Sequence, residues 1–275
     1  MNEIRISKEL FESLLGETQG DELISNTNLT FQEDCDFILH LIGNKPKKIL
    51  DVCCGNGRLL IPLAKAGHHL TGFDIDEPSI NEIRQLYGAI QNIDCSVKDA
   101  IVDDWGSGYD VVIIAGSVLF NIETTNDYKT MQEQFIRKAA SALTPGGCLY
   151  IDYSPFAPNG RTLLRKGESV NDDGSIIWDT TTIDEDGNKK RVKLTKGSFD
   201  KETNILSFIR YIELTLPNGE VEKSGVKCVK HYADLEQIRE WLDLSGFEIV
   251  HEYENKTRKV IDADSRTLIL FGRKR

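Results

Sequence analysis

The apolar segment 48–76 contains several glycines and carboxylates and reads KILDVCCGNGRLLIPLAKAGHHLTGFDID. The Gly-x-Gly turn formed by Gly55, Asn56 and Gly57 lets a ligand approach the backbone closely, because glycine has no Cβ. Asp74 follows at about the 20-residue spacing that suits a carboxylate accepting hydrogen bonds from ribose hydroxyls. Together these residues predict a pocket for a nucleoside-bearing cofactor.

Two short strands and a helix must hold these groups in position. The apolar runs 48–53 and 69–74 predict the strands. The helix between them is predicted from Leu59, Leu60, Leu63 and Ala64 and ends at Gly67. Free N–H groups at its first turn would face the ligand. The alternative is a glycine turn that merely packs a helix on a sheet, and the complete order of elements favours the ligand site.

The same alternation continues along the chain. Further apolar runs predict strands at 93–97, 109–115, 148–153, 247–253 and 267–272, with amphipathic helices between most of them. This order predicts an α/β fold with a largely parallel sheet covered by helices on both faces. Ligands bind such sheets at the carboxyl ends of the strands.

Four segments are predicted. Residues 1–46 form an N-terminal helical lid, and residues 47–155 form the cofactor-binding core. Residues 156–230 alternate as three to four antiparallel strands that cover the substrate, with turns at sites such as Pro217-Asn218-Gly219. Residues 231–275 complete the core.

Composition narrows the function classes. The 275 residues carry a formal net charge of -11, which argues against nucleic acid as a partner, because the phosphate backbone attracts basic surfaces. No apolar run approaches the ~20 residues of a membrane span, and the N-terminus lacks the features of a secretory signal. We therefore expect a cytoplasmic protein that does not enter membranes. A homo-oligomer is compatible with this composition.

The six cysteines, Cys35, Cys53, Cys54, Cys95, Cys148 and Cys228, contain no C-x-x-C pair. Most lie in apolar segments, where free thiols of a reducing compartment are expected. Adjacent Cys53 and Cys54 would point to opposite faces of a strand, which argues against a metal or redox pair. We expect no metal site.

Five short motifs carry a resemblance to a known family. They are DVCCGNGR, GFDID, KDA, YDVVIIAGSVLFNI and LTPGGCLYID, in this order. The sequence resembles the class I S-adenosylmethionine-dependent methyltransferases over residues 47–155 and, less closely, 231–275. Its glycine N-methyltransferase-like subgroup is the most similar, since it also has an antiparallel insert after the fifth strand. The resemblance implies a Rossmann-like, doubly wound sheet of seven strands, of which the last is antiparallel.

The resemblance also implies which residues bind the cofactor. Asp51, Cys53 and the two glycines would surround its methionine moiety, and Asp74 would hold the ribose. The complete implied set is Asp51, Cys53, Gly55, Asn56, Gly57, Arg58, Asp74, Ile75, Asp99, Ala100, Ala115 and Gly116. Within it, Ile75, Asp99 and Ala100 would contact the adenine, whereas Ala115 and Gly116 would line the sulfonium. Relatives usually have glycine or alanine at position 53, so the thiol tightens this approach.

No catalytic residue is assigned, and the weak candidates are Asn121, Tyr153 and His231. Together with Phe120 they are the expected substrate contacts. Relatives often place histidine at position 121, and Asn121 removes that general base. Tyr153 is equally explained by packing, and His231 by a cap or a surface position. Methyl transfer needs aligned reactants more than a base, so a small-molecule N- or O-methyltransferase is predicted. The alternatives are a nicotinamide-dependent oxidoreductase and a non-catalytic S-adenosylmethionine-binding protein.

Overall fold

Twelve strands in two sheets are seen in the computed structural model, which describes residues 33–122, 127–153, 168–170, 176–183, 188–200, 202–254, 256–261, 265 and 268–275. In chain order the strands are β1 (Lys48–Val52), β2 (His69–Asp74), β3 (Ile93–Val97), β4 (Tyr109–Ile114), β5 (Leu143–Tyr153), β6 (Glu168–Val170), β7 (Ile176–Ile183), β8 (Lys189–Asp200), β9 (Ile205–Thr215), β10 (Val221–His231), β11 (Phe247–Tyr253) and β12 (Leu268–Lys274). The described residues divide into two units, with breaks after residues 155 and 232.

The larger unit is built on a seven-stranded sheet with the order β11-β12-β5-β4-β1-β2-β3. The pairs β1–β2, β1–β4, β2–β3 and β4–β5 are parallel, whereas β12 is antiparallel to both β5 and β11. The sequence-based fold class, a doubly wound sheet with an antiparallel last strand, is confirmed. The order reverses between β1 and β4, where open sheets of this kind bind ligands.

Five α-helices are described in this unit: α1 (33–42), α2 (Leu60–Lys65), α3 (Glu77–Tyr87), α4 (Tyr128–Ala142) and α5 (Leu235–Leu244). Local sequence explains several of their ends. Asp127 begins α4 by accepting a hydrogen bond from the Thr130 backbone N–H, and Asp234 with Gln237 forms a capping box on α5. Among the helices of the described ranges, none is long and apolar enough to cross a membrane.

Apolar residues cover both faces of the large sheet. Successive residues of a strand point to opposite faces, so Ile49 lies in one buried cluster and Leu50 in the other. Along β4, Val111 and Val112 likewise lie in different buried clusters. This explains why strands such as β4 are apolar throughout instead of alternating.

The beginning of β5 differs from the prediction. The strand starts at Leu143, directly after α4, and not at Cys148. Leu143 is buried and pairs with Tyr109, whose carbonyl accepts a hydrogen bond from the Thr144 hydroxyl. The turn sequence around Pro145 is therefore absorbed by a register shift between β4 and β5. The turn-forming residues of this segment led to the prediction of a later strand start, whereas pairing with β4 stabilises the strand from Leu143 onward.

The smaller unit contains an antiparallel sheet of five strands in the order β10-β9-β8-β7-β6. The sequence predicted three to four; the short strand β6 lacks the length that makes alternation visible. The turn after β9 includes Gly219, whose φ of 86° requires a residue that tolerates the left-handed region.

The predicted boundary between residues 46 and 47 falls within the larger unit. Helix α1 buries Cys35, Phe37 and Ile38 in the same apolar cluster as Ile49 of β1. The described part of the predicted lid is therefore packed with the core. The lid prediction otherwise falls on residues 1–32, which lie outside the described residues. The remaining boundaries of the four predicted segments stay predictions.

Gly72 in β2 gives a stability prediction. An added Cβ would lie 2.1 Å from Leu60 Cδ1 and 3.0 Å from Cys54 Sγ. Leu60 is fully buried and has little room to move. We expect Gly72→Ala to lower the free energy of unfolding by about 1–3 kcal/mol, as overpacking typically does. Urea denaturation measures this.

The matched control is Gly272→Ala in β12 of the same sheet, where the nearest atom to an added Cβ is 3.5 Å away. It should change the unfolding free energy by less than about 0.5 kcal/mol. Equal effects of the two substitutions would contradict the close packing of β2 on Leu60.

Candidate functional site

Four predicted cofactor residues come together at the carboxyl ends of β1, β2 and β3. They are Asp51, Cys53, Asp74 and Asp99. Burial raises the pKa of the Cys53 thiol to about 12, and the three carboxylates add to this effect because each is close enough to repel a thiolate. The thiol is therefore protonated and unreactive, and the surrounding charge is negative.

The glycine turn has the backbone geometry that its sequence predicts. Gly55 and Gly57 have φ angles of 51° and 82°, in the region that side chains disfavour. An added Cβ at Gly57 would also lie 2.9 Å from Ile61. Cys53 adopts a φ of 56° as well, although it is not glycine. This left-handed backbone favours glycine at position 53.

The carboxylate of Asp74 is fixed by two backbone N–H groups. Its Oδ2 accepts a hydrogen bond from Gly55 at 2.8 Å, and its Oδ1 accepts one from Asp76 at 3.0 Å. Each carboxylate oxygen has a second acceptor position. Asp74 can therefore anchor the glycine turn and accept two hydroxyl groups of a ribose at the same time.

Asp51 is a buried acid beneath the turn, with 3% of its surface exposed. Burial raises the pKa of Asp51 to about 7; the positive charge of Arg58 opposes this, and the carboxylate of Asp74 adds to it. The nearby Leu60 backbone N–H also acts to lower this pKa. The prediction that α2 offers its first N–H groups to the ligand stays a prediction.

Arg58 lies among carboxylates. Its Nη1 donates to Asp34 Oδ2 at 2.7 Å, and Asp34 also pairs with Lys256. Burial alone would lower the pKa of Arg58, but the nearby carboxylates of Asp152, Asp34 and Asp51 raise it. The guanidinium therefore stays charged and partly neutralises this cluster. Asp34, on helix α1, had no signal in sequence beyond its place near a helix start.

Asp152 of β5 organises the turn after β4, a role that sequence analysis missed. Its Oδ1 accepts hydrogen bonds from the backbone N–H groups of Gly116, at 2.6 Å, and Ser117, at 3.1 Å. Gly116 and Ser117 both have positive φ angles, 74° and 57°. Burial raises the pKa of Asp152, and Arg58 opposes this shift. An acid at the end of the otherwise apolar CLYIDY run was the available signal.

The predicted sulfonium-lining residues lie at this same turn. Ala115 is 8% exposed and Gly116 is open to solvent. An added Cβ on Gly116 would lie 3.4 Å from Arg58 Nη2, which places the guanidinium beside the turn. The structure thus brings Arg58 close to Gly116, whereas Asn56 is exposed on the glycine turn itself.

The predicted adenine side has one exposed apolar residue and one structured loop. Ile75 follows β2 and is 69% exposed, so its side chain is accessible to a ligand. Asp99 Oδ1 accepts a hydrogen bond from the Ile101 N–H at 2.8 Å. Ala100 is buried. Trp105, in the loop after β3, is 2% exposed and packs against Phe135 in the core.

Three of the four predicted substrate contacts have side chains that the structure describes. Asn121 is exposed, and its side-chain amide donates to the Ser117 carbonyl at 3.3 Å. Tyr153 is fully buried, and its hydroxyl donates to the Ala233 carbonyl at 2.8 Å, which supports the packing alternative. His231 ends β10 in the smaller unit and is 1% exposed, so the surface alternative for it is wrong. The side chain of Phe120 lies outside the described residues.

Sequence comparison finds similar proteins for part of the chain. Residues 49–147 match the family model described as a methyltransferase domain. A ubiquinone biosynthesis O-methyltransferase of Idiomarina loihiensis is 30% identical over 115 residues, which are 40% of this chain and 44% of that protein. The matched segment is thus less than half the length of that relative.

Structure comparison agrees on the fold. An S-adenosylmethionine-dependent methyltransferase from Clostridium acetobutylicum aligns with a TM-score of 0.71 at 13% identity, over 96% of this chain and 99% of that chain. CalS10, an amino pentose methyltransferase from Micromonospora echinaspora solved with bound S-adenosylmethionine, aligns with a TM-score of 0.65 at 14% identity, over 99% of this chain and 100% of that chain. Residues 49–147 are therefore similar to a methyltransferase domain, and the chain has the fold of these S-adenosylmethionine-dependent methyltransferases.

Proposed function

We propose that this chain transfers the methyl group of S-adenosylmethionine to a nitrogen or oxygen atom of a small molecule. The observation that carries the proposal is the meeting of Asp51, Asp74 and Asp99 around the glycine turn at the carboxyl edge of the sheet. The matching domain family supports the reaction, and the similarity to an O-methyltransferase and to an amino pentose methyltransferase supports a small acceptor.

The charge of the site fits this cofactor better than a dinucleotide. S-adenosylmethionine carries a sulfonium, an ammonium and one carboxylate, so its net charge is positive. More carboxylates than guanidinium groups act on the pKa values of Asp51 and Cys53, and Arg58 is the guanidinium among them. The pyrophosphate of a nicotinamide cofactor would meet these carboxylates and be repelled. The acidic site therefore argues against the oxidoreductase alternative.

The protein's contribution to the reaction is positioning. Bound S-adenosylmethionine would supply a methyl group already activated by its sulfonium. Asp74 would hold the ribose, and the Gly116 turn, fixed by Asp152, would leave space for the methyl group and its acceptor. A neutral amine needs no base to attack, and a phenol or a carboxylic acid needs only to be ionised. The glycine N-methyltransferase-like subgroup stays part of this proposal, supported by Gly116 and by the antiparallel unit after β5.

Calorimetric titration tests the cofactor. We expect micromolar-range binding of S-adenosylmethionine and of S-adenosylhomocysteine and no comparable binding of NAD. Tight binding of NAD without binding of S-adenosylmethionine would overturn the proposal in favour of an oxidoreductase.

Product detection tests the reaction. The protein would be incubated with trideuteromethyl-labelled S-adenosylmethionine and with amine, phenol and carboxylic acid libraries or a cell extract. We expect one class of small molecule to gain a labelled methyl group in mass spectra. The control is the Asp74→Ala variant under the same conditions. Firm cofactor binding with no labelled product from any class would favour the non-catalytic alternative.

A further inference from the structure

The ammonium group of Lys138 is hydrogen-bonded to the loop that follows β3. Lys138, on helix α4, donates hydrogen bonds to the backbone carbonyls of Ala100 at 2.8 Å, Ile101 at 2.8 Å and Asp103 at 2.7 Å. An ammonium has three donors, so all three are used on this loop. The contact joins residues that are at least 35 positions apart in sequence.

The loop also holds itself together around Asp99. The Asp99 N–H donates to the Asp103 carboxylate at 2.8 Å, and the Asp103 N–H donates to the Asp99 carbonyl at 2.9 Å. The Trp105 indole N–H donates to the Ala100 carbonyl at 2.9 Å. Several polar groups of the loop 99–105 are thus hydrogen-bonded to one another, and Lys138 binds this loop from helix α4.

The side chain of Lys138 is half-buried beside Trp105. Its Nζ lies 5.5 Å from the centre of the Trp105 ring, in the position of a cation–π contact. Burial lowers the pKa of Lys138, whereas the acids Asp103, Asp99 and Asp104 raise it, so loop and lysine are electrostatically matched. Removing the Lys138 ammonium would take one donor from each of three carbonyls, of which Ala100 would retain the Trp105 indole N–H.

We infer that Lys138 is a positioning residue for cofactor binding, because it fixes the loop that presents Asp99 to the adenine end of the ligand. The inference rests on the proposed function. Lys138 itself would not contact the ligand, since its three donors are used by backbone carbonyls. Its effect on affinity must therefore pass through the loop and through Asp99.

The first test measures S-adenosylhomocysteine binding to Lys138→Met by calorimetry. Methionine retains much of the side-chain length but removes every donor, so we expect on the order of 10-fold weaker binding. The matched control is Lys129→Met, which removes an exposed lysine from the same helix and should leave the affinity unchanged. Lys138→Gln retains a donor amide, and its affinity for S-adenosylhomocysteine should lie between those of wild type and Lys138→Met. This variant replaces Lys138→Met in the test if the methionine variant does not fold.

A double-mutant cycle separates positioning from general stabilisation. If Lys138 acts through the loop, Lys138→Met should weaken binding by about 2-fold or less once Asp99 is already alanine. Fully additive losses, or unchanged affinity in both Lys138 variants, would overturn the inference while the proposed function stands. Absence of S-adenosylhomocysteine binding by the wild-type protein would instead overturn the proposed function, and this inference with it.

Discussion

Asp74→Ala should lower the affinity for S-adenosylmethionine by about 100-fold or more, since hydrogen bonds to a charged group contribute roughly 1.5–3 kcal/mol each. Asp74 holds the glycine turn through Gly55 and retains an acceptor position on each oxygen for a ribose hydroxyl. Alanine removes both functions. Calorimetric titration of S-adenosylmethionine and S-adenosylhomocysteine measures the loss.

The structure also predicts a loss of stability in this variant, which the sequence did not suggest. The N–H groups of Gly55 and Asp76 lose their acceptor, so we expect the unfolding free energy to fall by about 1–2 kcal/mol. The control is Asp94→Ala, which removes an exposed carboxylate from the neighbouring strand β3. It should bind both ligands like the wild type. An Asp74→Ala protein that folds and binds with unchanged affinity would show that the ribose site lies elsewhere.

Asp74 shows how much of the site local sequence predicts. Its spacing from the glycine turn and its place at the end of an apolar strand were sufficient to locate it, because strand, turn, helix and strand are consecutive in the chain. Gly55 and Gly57 were predictable for the same reason. The seven-stranded sheet followed from the strand and helix periods together with the family resemblance.

Asp152 and Lys138 show what the sequence could not predict. Each acts on a segment more than 30 residues away, at Gly116 and at Ala100, and no local period encodes such a contact. Ion pairs such as Arg58–Asp34 have the same origin, since α1 and the glycine turn meet only in the folded protein. The contacts of a side chain at the carboxyl edge thus depend on which strands are neighbours.

Tyr153 and Leu143 illustrate a second limit. A tyrosine at the end of a strand can face a ligand or the core, and only the hydrogen bond to Ala233 distinguishes these cases. Leu143 belongs to a strand although turn residues follow it, because pairing with Tyr109 overrides local preference. In both cases tertiary contact decided between two locally acceptable structures.

Asp51→Asn should make the protein more stable at pH 8 and a poorer binder of S-adenosylmethionine. Burial raises the pKa of Asp51 to about 7, above the value near 4 expected in the unfolded chain. Between these values the folded state holds a proton that the unfolded state has released, so wild-type stability declines as the pH rises from about 4 to about 7. The decline should be on the order of 4 kcal/mol, and asparagine, which cannot ionise, should not show it.

Ligand binding should depend on pH with the opposite sign. A cofactor with net positive charge favours the ionised carboxylate of Asp51, so wild-type affinity should rise as the pH passes through about 7. Asp51→Asn should bind at least about 10-fold more weakly at pH 8 and show a flatter dependence, because the buried charge that attracts the ligand is absent. Urea denaturation and calorimetry at pH 5 and pH 8 measure both effects, with Asp94→Asn as the exposed control. If stability and affinity depend on pH in the same way in wild type and Asp51→Asn, this buried acid does not titrate as the structure indicates. If they depend on pH differently, the ionised acid lowers the stability of the protein while it strengthens binding of a cation.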